Sequence, residues 1–369
     1  MTSSGACEKL RGPGFIRQGM TSPAHTTFME RALELAALGG RAVMPNPMVG
    51  AVVVVDGKIV GEGYHHFYGG PHAEVAAIQS VGDPHILKRA TLYVSLEPCS
   101  HFGKTPPCAD LIIRSQIPTV VVGCRDPFPA VSGRGIQNLK EAGISVVEDV
   151  LHDECVDLNR RFMVAHQRKR PYVILKWAET TDGFIARSDY SSKWISCDAS
   201  RTLTHRWRSE EMSILVGSVT ARVDDPELTV RHVTGTNPLR VTVDNNLSLP
   251  SSHKLFNDTA ETLVFNLERN AIAGRCTWKK YDPNPAMPIA IVQELYALKI
   301  TSLIVEGGAR TLQSFIDLGL WDEARVFISP QTFRLGIKAP LLPSTSTPSS
   351  SQAIDTDTLL LYRHSLAGW

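Results

Sequence analysis

No apolar run in the 369 residues approaches the roughly 18 needed to cross a bilayer, so the sequence offers no membrane span. Neither sign of charge prevails. There are 38 Lys and Arg against 37 Asp and Glu, a formal net charge of +1, which argues against the broad basic footprint of a nucleic-acid-binding protein. Disulfide spacing is also missing. Of the seven cysteines, Cys7, Cys124, Cys155, Cys197 and Cys276 are scattered, as in a chain kept in a reducing cytosol. The second half lacks the G-x-G-x-x-G fingerprint of the common dinucleotide fold. What remains is an ordinary apolar content of 43% and a length that suggests two domains.

The chemistry concentrates between Pro71 and Cys108. Pro71-His72-Ala73-Glu74 is followed by a hydrophobic strand from Ala90 to Leu96, then Glu97-Pro98-Cys99, and later Cys108. One imidazole and two thiolates leave the fourth position of a tetrahedral zinc open, which is the catalytic pattern. Zinc lowers the pKa of a bound water to about 7. Glu74, on the first turn of the helix after His72, reaches the same pocket without ligating. H-x-E followed by P-C is the signature of zinc deaminases of nucleobases, in which the Glu shuttles protons. The competing reading, a closed structural site, normally needs a fourth Cys or His. Eight residues separate Cys99 from Cys108, so an added loop carrying His101 and Lys104 overhangs the site.

Pro45-Asn46-Pro47, Gly63-Tyr64-His65, Pro71-His72-Ala73-Glu74, the Glu97 to Cys108 stretch, Arg125-Asp126-Pro127 and Gly133-Arg134-Gly135 together resemble the deaminase half of the bifunctional riboflavin-biosynthesis deaminase/reductases. The resemblance extends from about Met29 to His364. It implies an N-terminal cytidine-deaminase-like three-layer domain and a C-terminal dihydrofolate-reductase-like α/β domain. It also implies that Asn46 and His65 hold the base, and that His101, Lys104 and Asp126 position the ring and phosphoribosyl group. On the residues alone, Asn46 between prolines is as readily a turn, and Lys104 a solvated charge.

Local patterns agree with an α/β chain. Residues 1–25 read as a disordered tail, 26–168 as the deaminase domain and 169–369 as the reductase domain. A helix is expected from about Phe28 to Ala37, with Thr27 and Glu30 as a capping box. Val49 to Val55, Asp56-Gly57 and Lys58 to Gly61 form a hairpin signal. Strands alternating with helices then predict a layered sheet with partly parallel strands. One helix from His152 to His166 closes the domain, and Arg168-Lys169-Arg170-Pro171 reads as a linker, its basic run either a solvated connection or a contact with the other domain.

In the second half, strand Ser302 to Val305 runs into Glu306-Gly307-Gly308-Ala309-Arg310-Thr311. Backbone N–H groups at such a helix start can cradle phosphate; an αL turn explains the glycines equally well. With Ser192-Lys193-Trp194-Ile195 and Asp224 to Arg231, these pieces resemble the reductase half. The resemblance implies that Trp194, Thr220, Asp224, Gly308 and Thr311 contact NADPH, with Asn245 near it. Ser192, Arg208, Leu228, Arg231 and Glu306 would contact substrate. Lys176 joins them, and Lys176 and Glu306 are the candidate proton donors. A guanidinium suits bidentate phosphate binding, although surface ion pairs would also account for Arg208 and Arg231. The stretch 332–352, low in complexity over Pro343 to Ser351 and shorter than the family suggests, bears on a sheet edge or a subunit contact.

The expected function is zinc-dependent hydrolytic deamination of 2,5-diamino-6-(5-phosphoribosylamino)pyrimidin-4-one, followed by NADPH-dependent reduction of the ribosyl group to ribityl. One zinc per chain, a cytoplasmic homo-oligomer (dimer or tetramer), a pyrimidine ribonucleotide substrate and no nucleic-acid or membrane partner complete the expectation. Two rivals differ in kind. A nucleic-acid base deaminase with an appended binding domain would show a basic, aromatic-bearing stripe. A non-catalytic relative would have lost Glu74, Cys99 or Cys108, and all three are present.

Overall fold

The computed structural model describes residues 23–100, 106–128, 132–189 and 195–363. The first half opens with α1 (Pro23–Ala37), a 3-10 turn Gly40–Val43, and the hairpin β1 (Gly50–Val55) and β2 (Lys58–Tyr64). Then α2 (Ala73–Gln79), β3 (Thr91–Leu96), α3 (Cys108–Arg114), β4 (Thr119–Cys124), α4 (Arg134–Glu141) and β5 (Ser145–Val147) alternate, before α5 (His152–Leu158) and α6 (Arg160–Arg168). The sheet order is β2-β1-β3-β4-β5. β1 is antiparallel to both neighbours, while β3, β4 and β5 run parallel. Every residue of β1 is buried, because the side-chain period of two serves two layers of helices. Ala51, Val53 and Val55 pack with α2, α3 and α4; Val52 and Val54 pack with Met29, Ala32 and Leu35 of α1.

Two local expectations need correction. α1 starts at Pro23, and Thr27 Oγ1 donates back to Pro23 O at 3.3 Å. Thr27 is therefore inside the helix, and no capping box with Glu30 forms. The single helix expected from His152 to His166 is two, broken at Asn159. There the side chain accepts from Met48 N–H and donates to Met48 O, both at 2.8 Å, so a tertiary pair overrides helix continuity. At the linker, of the two readings, contact holds for Arg170. Arg170 is buried, and its guanidinium donates to Asp322 (2.7 Å) and to Pro171 O (2.8 Å).

The second half contains β6 (Tyr172–Thr180), β7 (Phe184–Ala186), α7 (Asp198–Glu210), β8 (Ser213–Val216), α8 (Ser218–Asp224), β9 (Leu239–Val243), β10 (Thr262–Asn266), β11 (Ala271–Ala273) and β12 (Cys276–Lys280). It ends with α9 (Met287–Ala297), β13 (Ser302–Val305), α10 (Ala309–Asp317), β14 (Glu323–Ser329), β15 (Ile337–Lys338), β16 (Ser350–Ile354) and β17 (Asp357–Arg363). The large sheet has the order β11-β12-β10-β9-β8-β13-β6-β14-β17-β16. Its interior is parallel, and antiparallel pairs form both edges. The low-complexity tract runs into β16, an edge strand.

Buried ions cross from α6 to this sheet. Arg161 holds Glu211 with two hydrogen bonds, and Tyr172 Oη donates to Glu323 at 2.9 Å. Against burial, which acts upward, Arg325 and Arg160 hold the Glu323 carboxyl at about 2.

Candidate active sites

His72 is the N-cap of α2, Cys108 is the first residue of α3, and Cys99 follows the end of β3. Two helix starts and a strand end thus meet at the carboxyl edge of the parallel strands, where such sheets place ligands. His72 Nδ1 lies 3.5 Å from Cys99 Sγ and 3.3 Å from Cys108 Sγ. Zinc bonds of about 2.0 Å to nitrogen and 2.3 Å to sulfur, at a tetrahedral angle, require roughly 3.5 Å between them, so the donors fit a zinc ion. Among the described residues, this is the group of His, Cys, Asp or Glu donors close enough to share one.

The Cys108 N–H also points at Cys99 Sγ, at 3.3 Å. Hydrogen bonding from the Cys108 thiol, against burial and aided by His72, brings Cys99 down to about 4. Cys108, sharing its hydrogen with that thiolate, is pushed up. Burial pushes the adjacent Glu74 carboxyl up to about 7, and the Cys99 charge adds to it.

Asn46 and His65 lie alongside. His65 donates from Nδ1 to Pro71 O (2.9 Å), so its Nε2 accepts from Asn46 Nδ2 (3.2 Å). The His65 and His72 rings stand edge to face, 5.7 Å apart. Asp126 closes a turn by accepting Phe128 N–H at 2.8 Å. His101 and Lys104 lie outside the described residues.

The residue motif reading passes over is Glu97. Its buried carboxylate accepts backbone N–H groups of Asp126, Gly133, Gly135 and Ile136 at 2.9–3.3 Å. It thereby ties the zinc-ligand strand to the loop carrying Asp126. A Cβ at Gly135 would come within 1.9 Å of Pro98 O, so only glycine allows this approach. The signal was its adjacency to Pro98-Cys99; its partners are too distant in sequence to infer.

In the second half, Lys176, Arg208, Thr220, Asp224, Leu228, Arg231, Asn245, Glu306, Gly308 and Thr311 line one cleft of about 950 Å³. Ser192 and Trp194 lie outside the described residues. Arg208 donates to both oxygens of Glu306, at 2.8 and 2.7 Å. Burial acts to raise Glu306, yet the charge and hydrogen bonds of Arg208 hold it at about 2. Arg231 pairs with Glu227 (2.9 Å) and Thr229 Oγ1 (3.0 Å). Both arginines are in ion pairs, but on the wall of the cleft. Burial lowers the pKa of Lys176, with Glu306 opposing.

Gly308 has φ +70° and precedes α10 with no side-chain cap. A Cβ there would sit 3.2 Å from Thr220 Oγ1, and one at Gly217 would sit 2.3 Å from Thr311 Oγ1. These glycines keep space open before uncapped helix N–H groups, which suits the phosphates of a dinucleotide.

His205 is the missed residue here. It lines the cleft three residues before Arg208 on α7, and its Nδ1 accepts Arg231 N–H at 3.2 Å. Burial, then the charge of Arg208, holds it at about 4. The i, i+3 spacing to Arg208 was the available signal.

The chain is similar to known proteins over most of its length. Residues 22–124 match the cytidine and deoxycytidylate deaminase zinc-binding region, and residues 171–356 match the RibD C-terminal domain. The riboflavin biosynthesis protein RibD of Aquifex aeolicus is 45% identical, over 84% of this chain and 88% of its own. Its counterpart from Escherichia coli is 34% identical, over 82% and 87%. The crystal structure of a diaminohydroxyphosphoribosylaminopyrimidine deaminase/5-amino-6-(5-phosphoribosylamino)uracil reductase from Thermotoga maritima superposes with a TM-score of 0.85. It has 40% identity and covers 93% of this chain and 99% of its own. These domains imply zinc and a nicotinamide cofactor in general. No helix among the described residues is long and apolar enough to cross a membrane. With two α/β halves, a deaminase-type donor set and a reductase cleft in one chain, the protein belongs to the RibD family of bifunctional riboflavin-biosynthesis deaminase/reductases.

Proposed function

We propose that this chain deaminates 2,5-diamino-6-(5-phosphoribosylamino)pyrimidin-4-one at its first site and reduces the ribosyl group of the product to ribityl at its second, using NADPH. The observation that carries the reading is the presence, in one chain, of a His72/Cys99/Cys108 donor set beside buried Glu74 and a separate cleft walled by Arg208, Glu306 and Gly308. Residues 26–168 and 169–369 are the two domains of this proposal.

His72, Cys99 and Cys108 would hold one zinc, which when bound would supply a water activated for attack at neutral pH. Glu74 takes a proton from that water and returns protons to the ring nitrogen and the departing amine. One carbon–nitrogen bond breaks, one carbon–oxygen bond forms, and ammonia leaves. Asn46 and His65 orient the base; His101, Lys104 and Asp126 hold the ring and the phosphoribosyl group.

In the second cleft, NADPH supplies hydride, and the protein orients the partners. Thr220, Asp224, Asn245, Gly308 and Thr311, with Trp194, hold the cofactor. Arg208, Leu228, Arg231, Glu306 and Lys176, with Ser192, hold the ribotide. The working form is a cytoplasmic homo-oligomer. A nucleic-acid deaminase is less well supported, because a binding appendage does not explain the reductase-family match.

The test follows ammonia release and NADPH absorbance together, in wild type and Glu74→Ala. Wild type should show both signals. The variant should show neither until given the deaminated ribotide, and should then consume NADPH. Ammonia without any NADPH consumption, even from that intermediate, sinks the second half of the reading.

A further inference from the structure

The segment between α8 and β9, residues 225–238, brings Leu228 and Arg231 to the reductase cleft but belongs to no helix or strand. Leu228 is buried at φ +53°, a left-handed conformation that a branched residue rarely adopts. Such a segment keeps its shape only where surrounding contacts over-determine it.

Three of those contacts are internal to the reductase half. Asn237 Oδ1 accepts Val230 N–H at 2.8 Å, His205 Nδ1 accepts Arg231 N–H at 3.2 Å, and Arg208 Nη1 donates to Thr229 O at 3.4 Å.

Asn237 Nδ2 also donates to Thr259 O at 3.2 Å and Asp225 accepts Lys254 N–H at 2.8 Å; a further contact comes from the other half of the chain. Arg41 donates from Nη1 to Thr236 O at 2.7 Å and from Nη2 to Asn237 O at 2.9 Å. One guanidinium thus grips two consecutive carbonyls, at the residue whose side chain holds Val230. Arg41 itself stands on a firm base. Its 3-10 turn contains fully buried Val43, and the turn is tied down by Asn46 N–H to Val43 O (3.0 Å) and Tyr68 N–H to Ala42 O (2.9 Å).

We propose that Arg41, a residue of the deaminase half, is a positioning residue for the reductase: it holds the 225–238 segment in the conformation that receives the ribotide. The proposal rests on the reading of Leu228 and Arg231 as substrate contacts. Without Arg41, the segment is competent for only a fraction of the time, and the apparent affinity falls by that fraction. Contacts that bind ground state and transition state alike change KM and leave kcat alone.

The experiment uses the full-length chain and two assays. One is ammonia release from the diaminopyrimidinone ribotide; the other is NADPH consumption with the deaminated ribotide supplied directly. In R41A the reductase KM should rise about tenfold, the scale of losing a charge-assisted pair, with reductase kcat and both deaminase parameters unchanged. R41K, whose ammonium reaches one carbonyl at a time, should fall between R41A and wild type. N237A should also raise the reductase KM. The R41A/N237A double variant should go little beyond the larger single effect, because both act through one segment.

A reductase KM at the wild-type value in R41A overturns the proposal, and so do fully multiplicative effects in the double variant. If R41A does not fold, R41K and N237A carry the test, and wild-type KM in both overturns it. A wild-type chain that consumes no NADPH with the deaminated ribotide overturns instead the functional reading beneath it.

Discussion

Glu74 in the first half, which is buried, and Glu306 in the second, whose side chain is 7% exposed, both stand at the wall of a site, and their surroundings differ. Around Glu74 stand two thiols, an imidazole and apolar neighbours, and burial pushes its carboxyl up to about 7. A zinc ion held by His72, Cys99 and Cys108 would act in the opposite direction, favouring a carboxylate that can take up a proton. Around Glu306, Arg208 makes two hydrogen bonds and Lys176 adds its charge, so the carboxyl is held at about 2 despite burial. One glutamate is placed to exchange protons and the other to remain charged; separated environments of this kind separate roles. At about 2 Glu306 has no proton to give near neutral pH.

The largest expected effect breaks one side of this comparison only. Glu74→Gln should lower deaminase kcat by about 10²–10⁴-fold, the usual worth of a general acid–base group. Bound zinc, measured by metal analysis, should be retained, and NADPH consumption with the deaminated ribotide should be unchanged. Loss of zinc in that variant would mean that Glu74 serves the donor set and not the proton.

Removing the partner of Glu306 should act through stability as well as activity. Arg208→Met leaves a buried carboxylate without its guanidinium, at a cost of about 3–5 kcal/mol. The Arg208→Met/Glu306→Leu double variant should recover most of that in urea unfolding and still fail to reduce the ribotide. A double variant that regains activity would show the pair to be structural.

The two sites also differ in how far the sequence discloses them. His72, Glu74, Cys99 and Cys108 are legible because the fold needs them within 37 residues, on helix starts and a strand end that local patterns already indicate. The alternation of strands and helices is legible for the same reason. What stays hidden is the identity of distant partners. Arg208 and Glu306 are both singled out by the resemblance, but their pairing spans 98 positions. The break in the closing helix is invisible because Asn159 is bound to Met48, 111 positions earlier. Glu97 looks like part of a motif, and its four N–H donors lie 29 to 39 positions away. Side-chain type suggests what a residue can bind; it does not say which backbone the fold will bring to it.

A smaller effect sharpens the contrast from the deaminase side. Gly135→Ala places a methyl against Pro98 O, one residue before Cys99. Overpacking of this kind costs about 1–3 kcal/mol. Because the displaced carbonyl belongs to the zinc-ligand loop, deaminase activity and zinc retention should fall together while reductase kcat holds. Equal losses in both reactions would instead indicate general destabilisation.

The smallest effect is one of pH. Glu306 is held at about 2 in the folded chain, below the ordinary carboxyl value of 4.5. A depressed carboxyl contributes stability that is complete above its unfolded pKa and is lost as pH falls toward the folded one. The window for Glu306 is therefore about pH 4.5 down to 2, and within it each such group steepens the loss by up to about 1.4 kcal/mol per pH unit. Glu323 titrates in the same window, and the thiolates of the metal site take up protons on acidification. A single acid-unfolding curve thus mixes several groups. The informative quantity is the difference between wild type and Arg208→Met/Glu306→Leu. The double variant lacks one proton-binding carboxyl, so its stability should fall less steeply by about one proton across that window, with the two curves parallel above pH 5. Identical slopes would mean that Glu306 takes up its proton over the same range folded as unfolded, and its role as the fixed charge of the reductase cleft would fail.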